Sequence, residues 1–558
     1  MKKIVSLIVV TVLAITLVAC DSSESDSGES VLKWNIGADP LTLDPSLNGA
    51  SDGGDVINNT FEGLVREVDG EVYPGIAESW STSDDGLTVT FNLRESKWSD
   101  GSDLTSNDFL YTYKRAMDPA TASEYSWIWE YTNVVGATDF VYADTAAEGY
   151  DADALWANVG ISAPDDYTLE FELVNPTSYF VSLMAFYHFM PVKESVVEAS
   201  IGDDGLDDGS WSKDASVYVS NGPFVLSEYN VGEGLTLVKN EYYWDAENVS
   251  LDKIEGKFID NESTAYAAYN AGELDFIPSV PAAEVNKLIA EDDEFYVFAL
   301  LGTYYYSFNF DKEIFQNAKL RTALSYAIDR DSIVSTLGGG QIAASGFIPV
   351  GFLDDEGNDF ATESGDYGIA TDDSNFDEAV TLFAEAAAEM NMTVAELKAE
   401  LKDSELLYNT SESHKLVAEL VQESIKTVLG VELTLANEEW AVFQETRKAS
   451  NFEIARGGWL TDFMDPSGLL AIFATGNAYN DPNYSSAAYD AAISAALATT
   501  DLETHFDKLY EAEEILMTDM PIIPVYYYSD YVYAKDYVND WGRSVLGSID
   551  FKYVSIDK

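Results

Sequence analysis

Two segments in the first third of the chain alternate strictly between apolar and polar residues. They are LTVTFNL at residues 87–93 and LEFEL at residues 169–173, and an acidic turn precedes each of them. Successive side chains of a strand point to opposite faces, so this period is typical of strands with one buried face. The pattern therefore predicts a sheet in this part of the chain.

A different rhythm runs from residue 406 to residue 462. Its predicted elements are a strand at 406–408, a helix at 416–428 that Gly430 ends, a strand at 431–435, a helix containing Trp440 and Phe443, and a strand that begins near 452–454. Strands that alternate with helices predict parallel pairing. In such sheets ligands bind beyond the carboxyl ends of the strands, and Trp459 and Asp462 fall at that place. This loop is therefore a candidate site.

A further helix is predicted over residues 319–333. Its apolar residues recur at helical spacing on one face: Leu320, Ala323, Leu324, Ala327 and Ile328. Such a face indicates packing against a core and nothing more.

The first residues have the features of an export signal at 1–20. Lys2 and Lys3 precede an apolar stretch at 4–18, which is shorter than the roughly 20 residues of a membrane-spanning helix. The sequence LVAC at 17–20 resembles a bacterial lipobox, in which Cys20 is lipidated; an ordinary signal with an incidental cysteine is the alternative. Residues 21–30 are polar and are expected to form a flexible tether.

Charge excludes one class of partner. The 558-residue chain carries 98 acidic and 30 basic side chains, a formal charge of −68, which repels nucleic acid. We interpret the acidity as a solvated coat, with steering of cationic ligands as the alternative. The length exceeds that of one ordinary domain, so two or three lobes are expected.

The common signatures of catalysis are missing from the sequence. His188, His414 and His505 are far apart and show no metal-ligand spacing. Neither a Gly-x-Ser-x-Gly elbow nor a Gly-x-x-x-x-Gly-Lys-Ser/Thr loop occurs. The three glycines at 338–340 follow a predicted helix, which favours a flexible turn over a phosphate loop. We therefore expect no enzyme activity and no cofactor.

Ten sequence blocks resemble the bacterial extracellular solute-binding family that serves oligopeptide ABC importers. In chain order they are LDP at 43–45, FEGL at 61–64, PGIAESW at 74–80, TFNLRESKWSDGSDLTSNDFLYTYKR at 90–115, SNGPFVLSEY at 220–229, KNEYYW at 239–244, LRTALSYAIDRDSIV at 320–334, YNTSESHKL at 408–416, RGGWLTDFMDP at 456–466 and PIIPVYYY at 521–528. Their order and spacing make chance agreement implausible.

The resemblance implies a two-lobe α/β fold of the periplasmic-binding-protein type (type II, cluster C-like) with an extra domain. Lobe I is expected at 31–70, 216–302 and 529–558, the extra domain at 71–215, and lobe II at 303–528. The lobes are expected to close over the ligand.

The resemblance also implies a peptide-binding site. Asp462 is the expected partner of the peptide α-ammonium group, and a carboxylate that only caps the turn at residues 465–466 is the alternative. Ser220, Asn221 and Gly222 match a block that pairs with the peptide main chain. Gly457 lies on the opposite jaw, where a glycine lets a ligand backbone approach closely.

Aromatic and basic candidates complete this site. Trp440 and Trp459 match aromatic walls of side-chain pockets, although each tryptophan taken singly is equally compatible with a core. Tyr125 and Tyr528 are further candidates; residues 526–528 alternate faces, so only some of these tyrosines face a ligand. Arg456 and His414 match basic positions that bind the peptide carboxylate. Gly49 and Ser51 replace larger residues of the family's N-terminal ligand loop.

Together these features predict a lipoprotein held at the extracytoplasmic face of the cell membrane by Cys20. It is expected to be a monomer that captures short peptides and delivers them to the permease and ATPase subunits of an ABC importer, without a nucleic-acid partner. One alternative is an enzyme, such as a peptidase or glycosidase with paired carboxylates. Another keeps the fold with a sugar, a metal chelate or a signalling peptide as ligand, and Asp462 argues against most sugars.

Overall fold

The structure is a computed structural model that describes residues 29–147, 149–201, 209–461, 463–477 and 479–558. The predicted export signal at 1–20 with Cys20, most of the predicted tether at 21–30, and Asp462 lie outside the described residues. In the described part of the chain, no helix combines the length and the apolar character that a membrane span requires.

A mixed sheet runs through the middle of the molecule and has eleven strands in the described residues. Its central pair is antiparallel and long, Phe295–Phe308 beside Ile522–Ala534. From edge to edge the strands are Phe224–Asn230, Gly234–Lys239, Lys253–Lys257, Val31–Asn35, Phe276–Ile277, Ile522–Ala534, Phe295–Phe308, Ile454–Leu460, Glu405–Asn409 and Thr434–Glu438, with Ile342–Ala343 paired to Ile522–Ala534.

Helices cover the sheet on both faces. Those of seven or more residues in the described ranges are Ser51–Thr60, Ser106–Met117, Glu194–Ser200, Glu262–Asn270, Ala282–Glu291, Ala318–Tyr326, Arg330–Leu337, Phe376–Glu389, Val394–Leu401, Glu412–Leu429, Trp440–Lys448, Ala487–Leu497 and Leu502–Asp519. Separate cores lie on the two faces of the second half of the sheet, one against helix Glu412–Leu429 and one against helix Leu502–Asp519.

The two long central strands change register at two places, between Ala299 and Thr303 and between Tyr304 and Tyr305, and the first shift is the larger. Ala299 pairs with Ser529, and Thr303 pairs with Tyr527, so four steps along one strand match two steps along the other. The extra residues form a bulge, which bends and twists a strand locally. The predicted boundaries between the lobes fall at this bulge, and the division into lobes stays a prediction.

The strand and helix rhythm predicted after residue 405 is confirmed. Strand Glu405–Asn409 pairs in parallel with Thr434–Glu438 on one side and with Ile454–Leu460 on the other. Helix Glu412–Leu429 ends at Gly430, whose φ of 68° is left-handed and costs a glycine no strain.

The second strand of this unit begins three residues later than predicted, at Thr434 instead of residue 431. Val431 and Leu433 are buried, as their alternation indicates, but they fill the core at the end of the preceding helix. Strand pairing starts only where the N–H of Thr434 donates to the carbonyl of Ser404 at 3.0 Å.

The helix predicted over 319–333 is in fact two helices, Ala318–Tyr326 and Arg330–Leu337. Asp329 caps the second helix, because its carboxylate accepts a hydrogen bond from the N–H of Ser332 at 2.9 Å. The predicted packing face is correct, and all five of its residues are fully buried. The glycines at 338–340 follow the second helix as a bend, as predicted.

Residues 77–172 carry a separate antiparallel sheet of four strands in the described structure. The strands are, in order, Ala77–Thr82, Thr88–Leu93, Thr168–Glu172 and Ile161–Asp165. The two middle strands are those that the alternating pattern predicts, and their apolar residues are buried. Helix Ser106–Met117 starts with a capping box in which Thr105 and Asp108 bond each other's backbone.

Candidate functional site

Arg456 lies among tyrosines on strand Ile454–Leu460. Its Nη2 donates a hydrogen bond to the hydroxyl of Tyr528 at 2.8 Å, and its guanidinium carbon lies 4.9 Å from the ring centre of Tyr304. Burial lowers the pKa of Arg456, but the neighbouring tyrosines outweigh burial and hold that pKa above its usual value. Its Nε is buried and has no hydrogen-bond partner in the described part of the chain. The charged guanidinium of Arg456 thus has an N–H group available to bind an anion.

His414 lies on the first turn of helix Glu412–Leu429, with its ring 5.6 Å from the ring of Tyr304. Burial and the positive charge of Arg456 lower the pKa of His414 to about 4. Its Nδ1 is buried and bonds to none of the described residues. The imidazole is therefore neutral at neutral pH, and a carboxylate beside it would raise its pKa.

Two further tyrosines belong to this cluster: Tyr526, which is part of the run at 526–528, and Tyr304, which the sequence reasoning missed. Tyr304 stacks on Tyr526 with a centroid distance of 4.6 Å and an interplanar angle of 22°. Both rings are buried, and a buried tyrosine in a strand is indistinguishable in sequence from ordinary core. The structure thus brings Arg456, His414 and Tyr528 together around this aromatic pair.

Among the described residues, one edge of strand Ile454–Leu460 has no strand partner along most of its length. On one side the whole strand pairs with Phe295–Phe308, whereas on the other it pairs with Glu405–Asn409 only at Ile454 and Ala455. The N–H of Thr461 donates to the carbonyl of Leu301 at 2.9 Å. Because main-chain groups alternate between the two edges, those of residues 456, 458 and 460 point to the open edge.

The glycine at 457 is explained by packing inside the protein, whereas the one at 458 meets only the ends of long side chains. A Cβ on Gly457 would approach Cζ of the buried Tyr305 ring to 2.5 Å. A Cβ on Gly458 would overlap the hydroxyl of Tyr528 and lie 2.8 Å from Nη2 of Arg456. The proposed reason for Gly457, room for a ligand backbone, is therefore not the constraint that this structure displays.

Trp459 lies on the opposite face of the strand from Arg456, since strand side chains alternate. Its ring packs against Tyr479 at a centroid distance of 4.6 Å. Trp459 borders a cavity whose other walls include Tyr131, Tyr179 and Phe463. Its Nε1 is buried and, within the described ranges, unpartnered. The second candidate tryptophan, Trp440, begins helix Trp440–Lys448, and its side chain lies outside the described part of the structure.

Tyr125 belongs to a row of aromatic rings that leads towards position 462. Its ring lies 5.6 Å from Trp127, which lies 5.7 Å from Tyr131, which lies 5.8 Å from Phe463. Asp462 itself lies outside the described residues. The row connects Tyr125 to the residue that directly follows Asp462, and so to the cavity beside Trp459.

Ser220, Asn221 and Gly222 are buried, and most of their polar groups bond within the protein. The carbonyl of Ser220 accepts from the N–H of Ser99 at 2.8 Å, and the N–H of Gly222 donates to the carbonyl of Thr60 at 2.8 Å. The Asn221 side chain donates to the carbonyl of Glu62 at 2.8 Å. These bonds hold the block at 220–222 against Ser99 and against residues 60–62. Pairing of this block with a ligand stays a prediction.

Other observations limit what the site does chemically. Among the described residues, no group of three or more His, Cys, Asp or Glu side chains is arranged to hold a metal ion. In the N-terminal loop, a Cβ on Gly49 would overlap the carboxylate of Glu124. That carboxylate is the end of an exposed side chain that can move, so packing does not by itself require a glycine at 49.

Comparison with known proteins gives consistent matches. The sequence model described as Bacterial extracellular solute-binding proteins, family 5 Middle, matches residues 71–481. Dipeptide-binding protein DppE of Bacillus subtilis (strain 168) is 33% identical over 533 residues, which cover 94% of this chain and 92% of that protein.

Two solved structures are similar over almost their whole length. MppA periplasmic murein tripeptide binding protein in its unliganded open form aligns with a TM-score of 0.81 and 30% identity, covering 95% of this chain and 97% of that chain. Haemophilus influenzae OppA in complex with RPPGFSPFR aligns with a TM-score of 0.67 and 30% identity, covering 95% and 99%. The predicted two-lobe α/β fold is thereby confirmed.

Proposed function

This chain belongs to the bacterial extracellular solute-binding proteins of family 5, and from this membership we propose that it captures short peptides for an ABC importer. The peptide lies in a cleft between two lobes and is delivered intact to permease and ATPase subunits. The protein itself performs no chemistry on the peptide and needs no cofactor.

The open edge of strand Ile454–Leu460 carries this proposal. Strand Ile454–Leu460 pairs with strand Phe295–Phe308 on one side. On the other side its main-chain donors and acceptors point to the open edge, and they belong to Arg456, Gly458 and Leu460. An extended peptide has matching groups at the same spacing, so it can add as a further strand whatever its side chains are. Backbone pairing of this kind suits a receptor for many peptides.

Charged groups at the two ends of that edge define the direction of the peptide. Asp462 receives the α-ammonium group, beyond the carboxyl end of the strand. Arg456 and His414 receive the carboxylate of a peptide of suitable length, since the buried Nε of Arg456 and Nδ1 of His414 bond to nothing in the described structure. Trp459 and Tyr125 contribute walls of side-chain pockets, and Trp440 is assigned the same role.

The proposal assigns closure of the lobes to the central strands. Residues 31–70, 216–302 and 529–558 form lobe I, residues 303–528 form lobe II, and residues 71–215 form the extra domain. The bulge between Ala299 and Thr303 is the hinge, because both long strands pass there from one lobe to the other. The higher TM-score with the unliganded open form, 0.81 against 0.67 for the peptide complex, supports an open arrangement here.

The cellular setting completes the proposal. Cleavage before Cys20 leaves a lipidated N-terminus, and residues 21–30 tether the folded part to the extracytoplasmic face of the cell membrane. The receptor works as a monomer. Palmitate labelling of the wild type and of Cys20→Ala in the host cell tests the anchor, and unchanged labelling of the variant would contradict it.

Isothermal titration calorimetry with a defined peptide pool tests the central claim. We expect 1:1 binding of free peptides and little binding of the same peptides after N-acetylation. Asp462→Asn should weaken binding about tenfold or more, because a charge-assisted hydrogen bond is lost, whereas the exposed control Asp84→Asn should not. Mass spectrometry after long incubation should recover intact peptide; hydrolysed peptide would show an enzyme instead.

A further inference from the structure

The turn that follows the open strand is closed by hydrogen bonds around Asp465. The Asp465 N–H donates to the carbonyl of Phe463 at 3.0 Å, and its carbonyl accepts from the N–H of Gly468 at 3.0 Å. Its Oδ1 accepts from the N–H of Ser467 at 2.9 Å. The Thr461 hydroxyl also donates to the carbonyl of Phe463, at 2.8 Å. These bonds fix the described residues that flank position 462 in the chain.

His505 holds the carboxylate of Asp465 from helix Leu502–Asp519. Its Nε2 lies 2.8 Å from Asp465 Oδ2, and its Nδ1 lies 2.9 Å from the carbonyl oxygen of Ala496. Burial alone would raise the pKa of Asp465, but the bonds and charge of its neighbours leave that pKa below its usual value, so the carboxylate is ionised. Neither a carbonyl nor an ionised carboxylate can donate, so both ring nitrogens must carry a proton, and only the imidazolium form has two. Both residues are 2% exposed. The geometry thus assigns a buried, charged histidine.

The predicted extra domain bonds to the same carboxylate. The Ser178 hydroxyl donates to Asp465 Oδ2 at 3.1 Å, and the adjacent Tyr179 ring stacks on Phe463 at a centroid distance of 4.1 Å. Asp465 is therefore the point at which helix Leu502–Asp519, the turn and the extra domain meet. The contact also lies next to the bulge of the central strands, since Thr461 pairs with Leu301.

Ser178, His505 and Asp465 resemble a hydrolase triad in composition, but the pattern of their hydrogen bonds excludes that role. In a triad the histidine accepts the serine proton at one nitrogen and donates from the other nitrogen to the carboxylate. Here Nδ1 is bonded to the Ala496 carbonyl, and serine and histidine share one carboxylate oxygen. A doubly protonated ring cannot act as a base. The trio is therefore structural.

We propose that charged His505 is a positioning residue for peptide binding: through Asp465 it holds the turn that carries Asp462 against the extra domain. This proposal rests on the proposed role of Asp462 as the α-ammonium partner. When His505 loses its charge, one of its two donors disappears, so its bridge between the Ala496 carbonyl and the Asp465 carboxylate is broken at one end and the turn is held less firmly. Peptide affinity then falls although both lobes stay folded.

The direction of the pH dependence follows from the groups that face His505. These are Asp465 in the turn and the hydroxyl of Ser178 in the extra domain, 3.4 Å from Nε2, and helix Ala487–Leu497 contributes the Ala496 carbonyl. Burial raises the pKa of the adjacent Tyr179, which is therefore neutral. Burial lowers the pKa of His505, but the bond and charge of Asp465 outweigh it and raise that pKa above 6.5. The contribution is complete below about 6.5 and is lost as pH rises through the raised pKa.

Two measurements on the full chain test this proposal. In the first, 15N-labelled histidine shows whether both ring nitrogens of His505 are protonated at pH 6; the chain has 3 histidines, so single His→Gln variants assign the signals. A neutral tautomer at pH 6 would overturn the proposal without any ligand.

In the second, the affinity of one peptide is measured for the wild type and for His505→Gln from pH 5.5 to 8.5. Use of the same peptide cancels the titration of the ligand. We expect the variant to bind about tenfold more weakly at pH 5.5 and the ratio to approach one at high pH. Exposed Glu503→Gln on the same helix is the control.

A ratio that stays at one, or that does not change with pH, would reject the positioning role. Ser178→Ala serves if His505→Gln fails to fold: it should weaken affinity and keep the pH dependence, and unchanged affinity would contradict the proposal. Failure of the wild type to bind any peptide would reject the proposed function itself. The 15N result would still decide the charge of His505 in that case.

Discussion

Arg115 and Asp44 form a buried, bidentate ion pair between two parts of the chain that are distant in sequence. Arg115 Nη1 donates to Asp44 Oδ1 at 3.0 Å, and Nη2 donates to Oδ2 at 2.6 Å. The residues are 8% and 0% exposed. Asp44 precedes helix Ser51–Thr60, and Arg115 lies on helix Ser106–Met117, so the pair joins the predicted lobe I to the predicted extra domain.

Arg115→Met should therefore destabilise the protein strongly. Removing one partner leaves the Asp44 carboxylate buried without its cation, which typically costs about 3–5 kcal/mol. Urea unfolding monitored by circular dichroism measures the loss. Lys114→Met is the matched control on the same helix, since the Lys114–Asp153 pair is exposed and should contribute little. Equal stability of both variants would contradict a structural role for the buried pair.

Gly457→Ala should lower stability more than it lowers peptide affinity per folded molecule. The new Cβ would press on the ring of Tyr305, which is itself held by Phe347 and Phe473 at centroid distances of 5.6 and 5.7 Å. Overpacking of this kind costs about 1–3 kcal/mol. Thermal unfolding and calorimetry separate the two effects. Normal stability with lost binding would instead show that Gly457 makes room for ligand.

Gly458→Ala should, in contrast, lower peptide affinity more than it lowers stability. Its Cβ would meet the hydroxyl of Tyr528 and the guanidinium of Arg456, which are ends of long side chains that can move. Stability should therefore change little. Displacing Arg456 should weaken binding of peptides with a free carboxylate, about threefold to tenfold, but not of their amidated forms. Equal losses for both peptide forms would contradict the role of Arg456.

Local patterns predicted the elements whose cause is local. Alternation at residues 87–93 identifies a strand, and glycine at 430 identifies a helix end. The break between Tyr326 and Arg330 has a different cause. Asp329 caps the second helix, and the buried guanidinium of Arg330 donates from Nε to the carbonyl of Pro524 at 2.8 Å. The bulge at Ala299 depends on the register of two strands far apart in sequence, which no local pattern contains.

The site residues were predicted through the family resemblance. What the resemblance did not reveal has physical causes. The family blocks include Arg456, His414 and Tyr528, which the structure does bring together. They do not reveal that Trp459 and Arg456 lie on opposite faces of one strand, although the period of two implies it. The contact of Ser178 with His505 joins residues 327 positions apart, and neither residue type signals it.

His414 should take up a proton when a peptide carboxylate binds. Its pKa in the ligand-free protein is about 4, lowered by burial and then by Arg456, and a bound carboxylate offsets both causes. Affinity should therefore rise as pH falls from 7 towards 5. Calorimetry at pH 5 in two buffers of different ionisation enthalpy measures the uptake, up to about one proton. No uptake, or the same uptake by His414→Gln, would place the carboxylate elsewhere.

Stability should rise as the pH is lowered from 8 towards 5, and Glu513 is a main cause. Its carboxyl group is fully buried, with Oε1 accepting from the N–H groups of Phe347 and Ile348 at 2.9 and 2.8 Å. Burial raises the pKa of Glu513 to about 7, although these bonds lower it. A carboxyl group whose pKa is raised by folding favours the folded state below its unfolded pKa, and this contribution is lost as pH rises through 7.

Glu513→Gln should remove this part of the pH dependence. The amide oxygen can still accept from Phe347 and Ile348, and the amide nitrogen can donate to the hydroxyl of Tyr367, which lies 2.9 Å from Oε2 in the wild type. Because the variant never buries a charge, its melting temperature should exceed that of the wild type at pH 8 and match it near pH 5. Exposed Glu514→Gln is the control. A lower melting temperature at both pH values would mean that the fold requires the ionised carboxylate.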